Sequence, residues 1–171
     1  MRIGITGDTH ADTAALRQVV KLAPPVECWL HTGDHAEDAA VLGKLTGLEV
    51  TKVLGNCDRN PDLANIDEII VIEGFKIWLT HGHRYMGHTR LSELVWWAKQ
   101  LEVDIVVYGH THIPMFEYHG EKLLINPGSP SRPRGGSKPS FAVLTLKKGE
   151  EPKLEFIELP QKEKFYTGIF R

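Results

Sequence analysis

Read for its apolar positions, the chain opens with a short strand-like run, Arg2–Thr6, and then switches to a helical period. Leu16, Val19 and Val20 share one face of a segment over residues 14–22, with Asp12 or Thr13 where a cap is needed and Pro24 and Pro25 beyond its end. Cys28–His31 reads as a second strand, residues 36–45 as a second helix and residues 49–54 as a third strand. Strand, helix, strand, helix, strand predicts parallel strands with helices packed on them. The pattern then changes. Residues 68–72 and Phe75–Thr80 alternate around Glu73-Gly74 and predict a hairpin. An amphipathic helix over 91–101 carries Trp96 and Trp97, and a buried strand begins at Ile105. Residues 115–118 and 122–125 form a second hairpin, a loop rich in Pro, Gly, Ser and Arg spans 130–139, and residues 141–146 pair with 154–159. The expectation is an α/β sandwich of two mixed sheets facing each other, with helices outside.

Candidate chemistry gathers where the strands stop. The apolar run Ile105-Val106-Val107-Tyr108 ends in Gly109 and then His110-Thr111-His112. Glycine permits a sharp turn there, and histidines at i and i+2 of an extended segment leave on one face, so two imidazoles at a strand end make half of a plausible metal site. Other strands end alike: Asp8 and His10 follow the first, Asp34 the second, Asn56 the third, and His81 the strand before the long helix. Ligands collect at the carboxyl ends of strands in open α/β sheets, so positions far apart in sequence are expected to converge.

The bulk numbers narrow the choice. The 171 residues fit one domain over 1–171 with a real core, and a net charge of −2 leaves no electrostatic footprint for sequence-specific nucleic-acid binding. Two cysteines, Cys28 and Cys57, are too few for a disulfide framework and point to a reducing, cytoplasmic setting. No apolar run is long enough to span a membrane, and none at the start resembles a signal peptide. The nine histidines are the anomaly. Gly4 and Gly7 do not make a dinucleotide fingerprint, and no Walker motif is present.

Asp8-Thr9-His10, Gly33-Asp34, Gly55-Asn56-Cys57-Asp58, His81 after a strand, and Gly109-His110-Thr111-His112, in this order, resemble the calcineurin-like metallophosphoesterase superfamily. The short length, Gly55 to Asp58 and Asn126-Pro127-Gly128-Ser129 are similar to its small bacterial and archaeal phosphodiesterase branch. The resemblance covers nearly the whole chain, from Ile3 to about Leu159. It implies a four-layer α/β/β/α fold and hydrolysis of a small phosphodiester by a hydroxide shared between two divalent metals. It puts Asp8, His10, Asp34 and His112 on one metal; Asp34 bridges to a second, completed by Asn56, His81 and His110. Such donors suit Mn, Fe, Ni or Zn better than Ca or Mg, with Mn the first choice.

Further roles are expected around this set. Asn56, Asp58, His81 and His83 are the candidate catalytic residues, with Asp58 orienting a neighbour and His83 facing the phosphate. Arg132 and Arg134 are candidates for binding phosphate oxygens. His31 reads as a core or supporting histidine, and His35, His88 and His119 read as surface. The wider superfamily commonly has His where this chain has Cys57, which leaves the general acid open. A phosphomonoesterase on the same metals is the alternative enzyme. A non-catalytic interaction scaffold, the use one retromer subunit makes of this fold, is the alternative outside enzymes; here every ligand position is kept. Trp96, Trp97 and the aromatic tail offer a homodimer surface.

Overall fold

The computed structural model describes residues 1–86 and 91–160. The elements in chain order are β1 (Arg2–Thr6), α1 (Thr13–Leu22), β2 (Cys28–His31), α2 (Asp38–Thr46), β3 (Val50–Lys52), a 3-10 turn (Pro61–Leu63), β4 (Asp67–Ile72), β5 (Phe75–Thr80), α3 (Leu91–Gln100), β6 (Ile105–Val107), β7 (Met115–His119), β8 (Lys122–Asn126), β9 (Ser140–Thr145) and β10 (Lys153–Glu158). They build two five-stranded sheets, in the orders β10-β9-β1-β2-β3 and β4-β5-β6-β8-β7. In the first, β1, β2 and β3 run parallel and β9 is antiparallel to β1. In the second, β5, β6 and β8 run parallel, and β4 and β7 are antiparallel edges.

Strand alternation decides the layering. Ile3, Ile5, Leu30, Ile77, Leu79, Ile105, Val107, Leu123, Ile125, Ala142 and Leu144 point inward and form one buried cluster between the sheets. The intervening residues Trp29, Phe141 and Val143 meet Leu16, Val19 and Leu42 of α1 and α2. On the opposite side Trp78, Val106 and Leu124 meet Leu94 and Ala98 of α3. Strands buried on both faces explain the nearly continuous apolar runs. The fold is therefore the expected α/β/β/α sandwich.

The differences from expectation are at element ends. Asp12, not Thr13, caps α1, its Oδ1 accepting from the Ala15 amide at 2.9 Å. Helix α2 starts at Asp38 rather than 36, because Asp34 and His35 take left-handed backbone (φ 54° and 70°) and delay the first turn. The edge strand β3 is shorter than expected, pairing with β2 over three positions. Glu73 and Gly74 both have positive φ (52° and 87°), the geometry that matches a two-residue turn to strand twist. Trp96 and Trp97 are exposed on α3, at 53% and 39%. His88 and the aromatic tail lie outside the described residues. No helix among the described residues is long and apolar enough to cross a membrane.

If the inter-sheet cluster carries the stability, Leu79→Ala, at a position with no exposure, lowers unfolding free energy by about 2–5 kcal/mol. Val71→Ala, at 69% exposure, changes it by less than about 0.5 kcal/mol. Urea unfolding of both variants checks the contrast.

Candidate metal centre

The parallel strands of both sheets deliver their carboxyl ends to one edge of the sandwich. The loops there are joined across the sheets. The His81 ring on the second sheet donates from Nδ1 to the Thr32 carbonyl after β2 at 2.8 Å. The His110 amide donates to Asp8 Oδ2 at 3.0 Å. Potential ligand atoms of Asp8, His10, Asp34 and His112 all lie within 4.8 Å of one another. Beside them, Asn56 Oδ1 is 3.0 Å from both His81 Nε2 and His110 Nδ1. Asp34 stands between the two groups: Oδ2 is 3.7 Å from His10 Nε2 and Oδ1 is 3.4 Å from His81 Nε2.

The backbone that does this is unusual. Asp8, His10, Asp34, His110 and His112 all have left-handed φ, from 48° to 65°. Left-handed conformations are disfavoured for residues with a Cβ and persist where surroundings over-determine them. They also change the reason the Gly109-His110-Thr111-His112 segment works. It is not extended, so the two imidazoles do not share a face by alternation. The two left-handed turns send His110 to Asn56 and His81, and His112 to Asp8 and His10. Nor is Gly109 needed for positive φ. It is needed for room: a Cβ there would lie 2.6 Å from Thr32 Oγ1 and 2.7 Å from Asp8 Oδ2.

The donor set fits divalent cations. Asp8 Oδ1 is buried and accepts no hydrogen bond among the described residues, although His112 Nε2 is 3.3 Å away. His81 and His112 each commit Nδ1–H to a carbonyl, of Thr32 and Arg132, which turns Nε2 toward the carboxylates. Burial and the neighbouring Arg132 lower the pKa of His10, and burial and His81 lower that of His110, so both favour the neutral form a ligand needs. Burial opposes the ionised form of Asp34, but His81 and the Cys57 amide outweigh it and hold the carboxyl below its ordinary value. Burial likewise opposes the charged form of His112, and Asp8 and the Arg132 carbonyl reverse the balance, raising its pKa.

The other sequence candidates sit around this core. His83 packs beside His81 and His110, with ring centroids 5.3 and 6.2 Å away. Asp58 spends both oxygens on backbone amides, of Ala36 at 2.7 Å and Gly55 at 2.6 Å, and so ties the loop after β3 to the loop after β2. Arg132 and Arg134 are exposed on the loop beside His10 and His110, and Arg134 donates to the His110 carbonyl at 3.4 Å. Cys57 is exposed, and partial burial together with Asp34 pushes its thiol up to about 11. His35, read as surface, is half-buried with its ring edge-on to His10 at 5.7 Å.

A second layer of residues supports these loops; His31 and the Asn126-Pro127-Gly128-Ser129 stretch stand out in sequence, while Asp38 does not. The Gly33 amide donates to His31 Nδ1 at 3.3 Å, so His31 offers Nε2–H to Thr9 Oγ1 at 3.4 Å, and Thr9 donates to Asp38 at 2.6 Å. Burial drops the His31 pKa to about 4, which keeps it neutral in this chain of contacts. Asp38 also accepts from the Ala11 amide at 3.1 Å, fixing the turn that carries His10. Asn126 donates to the Gly109 carbonyl at 2.7 Å, and Ser129 and Ser131 both donate to the Asp8 carbonyl. The Asn-Pro-Gly-Ser stretch is thus a brace behind two ligand loops. An acid in the first turn of a helix, as Asp38 is, looks from sequence like an ordinary complement to the helix dipole.

Residues 1–149 match the family model described as the calcineurin-like phosphoesterase superfamily domain. The chain belongs to the calcineurin-like phosphoesterase superfamily. It is 34% identical over 149 residues to a probable metallophosphoesterase of Bacillus subtilis, YsnB, covering 85% of each chain. It is 31% identical over 145 residues to a phosphodiesterase of Methanocaldococcus jannaschii, covering 75% of this chain and 83% of that one. Among solved structures it resembles a predicted phosphoesterase of Streptococcus pneumoniae (TM-score 0.77, 27% identity, 92% and 88% covered). It also resembles Vps29 of Entamoeba histolytica complexed with zinc (TM-score 0.74, 27% identity, 92% and 99% covered). The chain is accordingly a phosphoesterase enzyme, and its superfamily implies divalent metal ions.

The close approach at Gly109 makes a direct test. Gly109→Ala is expected to weaken metal binding by about 10–100-fold, the range found when supports of a ligand are disturbed. Calorimetric titration with a divalent metal, alongside thermal unfolding of the same sample, measures it.

Proposed function

We propose that this chain hydrolyses phosphodiester bonds in small molecules, using two divalent transition-metal ions. One would be held by Asp8, His10, Asp34 and His112, the other by Asn56, His81, His110 and the second oxygen of Asp34. Manganese is the first choice, with iron, nickel or zinc served by the same donors. The observation that carries the reading is Asp34, whose two oxygens face His10 on one side and His81 on the other. Such ions supply Lewis acidity and a nucleophile at neutral pH, and they neutralise phosphate charge.

The chain's own residues do the rest. Thr32 and Arg132 carbonyls hold His81 and His112 with Nε2 toward the ligand. Asp38, Asp58, Asn126 and Ser129 fix the loops, so little reorganisation is needed when substrate arrives. The packing of His83 beside His81 and His110 supports a role for it in donating to a phosphate oxygen. Arg132 and Arg134 are the cations of the adjoining loop and fit phosphate oxygens of the same substrate. The two free cysteines suit a cytoplasmic setting, and the exposed Trp96 and Trp97 suit contact with a second copy.

A diester is favoured over a monoester because a monoester brings extra negative charge near pH 7 and wants more cations than two exposed arginines. The test compares catalytic efficiency on a matched diester and monoester, with each divalent metal and with chelator. The diester is expected to be preferred and chelation to abolish both activities. A preference of about tenfold for the monoester, roughly 1.4 kcal/mol of transition-state stabilisation, would reject the diester reading.

A further inference from the structure

The segment after His81 folds back over its own sheet. Gly82 has φ 93°, and the Tyr85 amide donates to the Gly82 carbonyl at 2.9 Å, closing a tight turn that contains His83. The Tyr85 ring stands edge-on to buried Trp78, with centroids 4.9 Å apart, and to Trp97 at 5.8 Å. Its hydroxyl donates to Asp67 Oδ2. Asp67 Oδ1 accepts the Trp78 indole N–H at 3.1 Å. Asp67 opens β4 and pairs in register with Thr80, the residue before His81. One carboxylate therefore holds an indole built into the sheet and the phenol of the returning turn. Burial and Asp67 push the Tyr85 phenol up to about 12, so it stays a donor over the working range.

His83 needs such an anchor. Its Nδ1 is buried and has no hydrogen-bond partner among the described residues. It follows Gly82, whose backbone has the freedom to swing the ring elsewhere. A group that meets substrate must be held closely, since a displacement of about 1 Å is enough to lose function.

We propose that Asp67 and Tyr85 form a clasp that positions His83 for phosphate binding, an inference that rests on the phosphodiesterase reading of the site. Both are positioning residues: they reach the substrate only through the turn they hold. A purely structural hydrogen bond would stabilise the sheet edge without moving His83.

Tyr85→Phe separates these, because it keeps the ring against Trp78 and Trp97 and removes only the hydroxyl. Histidine Cε1–H resonances are recorded on the full-length chain as purified and after zinc addition, with the His83 signal assigned by its loss in His83→Gln. Tyr85→Phe is expected to shift or double the His83 signal and to leave that of His31, at the end of β2, in place. On a diester substrate KM rises by about three- to tenfold, the scale of one hydrogen bond, with kcat within about twofold. In a His83→Ala background the same substitution adds no further change. Asp67→Ala reproduces the effect. An unmoved His83 signal in Tyr85→Phe, or KM effects of Tyr85→Phe and His83→Ala that simply multiply, would overturn the clasp. If the wild-type protein cleaves no diester, the functional reading fails, while the spectra still decide whether Tyr85 positions His83.

Discussion

Two carboxylate oxygens of one residue organise this site. Asp34 can face both groups of histidines only because the chain leaves β2 through a left-handed turn, with φ 54° at Asp34 itself. Gly55 is the price of that arrangement, since a Cβ there would lie 2.2 Å from Asp34 Oδ1. The Cys57 amide then donates to the same oxygen at 2.8 Å, so the loop after β3 is pinned to the carboxylate it flanks. Asp58 locks that loop from behind through the amides of Gly55 and Ala36. The candidate ligand positions are thus held by backbone amides and carbonyls of neighbouring loops, and the strain of the left-handed residues is held in place by those bonds.

The sandwich beneath supplies the rigid frame. Two sheets bury one common apolar layer, and each carries its helices on the outer face. The parallel strands at the middle of both sheets stop at the same edge, which is how residues from Asp8 to His112 come within contact distance. Supports reach across from one sheet to the other, as His81 does to Thr32 and His110 does to Asp8. A change that lets the sheets slide would therefore be felt at the ligands before it was felt in the core.

Most of the architecture was legible because apolar alternation and strand-end polarity are local signals. The Gly109-His110-Thr111-His112 segment was found for its residue types, while the reason offered for it, alternation along an extended backbone, does not hold: the left-handed turns at His110 and His112 depend on contacts with Asp8, Asn126 and Arg132 that no local pattern encodes. The late start of α2 has the same origin at Asp34 and His35. The supporting roles of Asp38, Thr9 and Ser129 carry no local signal, because each acts on a neighbour's backbone or ring. The Asp67–Tyr85 bond joins positions on two different strands' flanks, and only the hairpin register brings them together. Arg132 and Arg134 stand on a loop rich in Pro, Gly and Ser, and that loop adjoins His10 and His110.

The proposed mechanism needs one carboxylate, that of Asp34, shared between two ion sites. Metal content per chain, measured by elemental analysis after loading and gel filtration, tests it most directly in three proteins: wild type, Asn56→Ala and Asp34→Asn. The account predicts two ions in wild type, retention of the ion held by Asp8, His10, Asp34 and His112 in Asn56→Ala with loss of the other, and weakened binding of both in Asp34→Asn. A single ion in wild type that Asn56→Ala leaves untouched, or two ions undisturbed in Asp34→Asn, would contradict it.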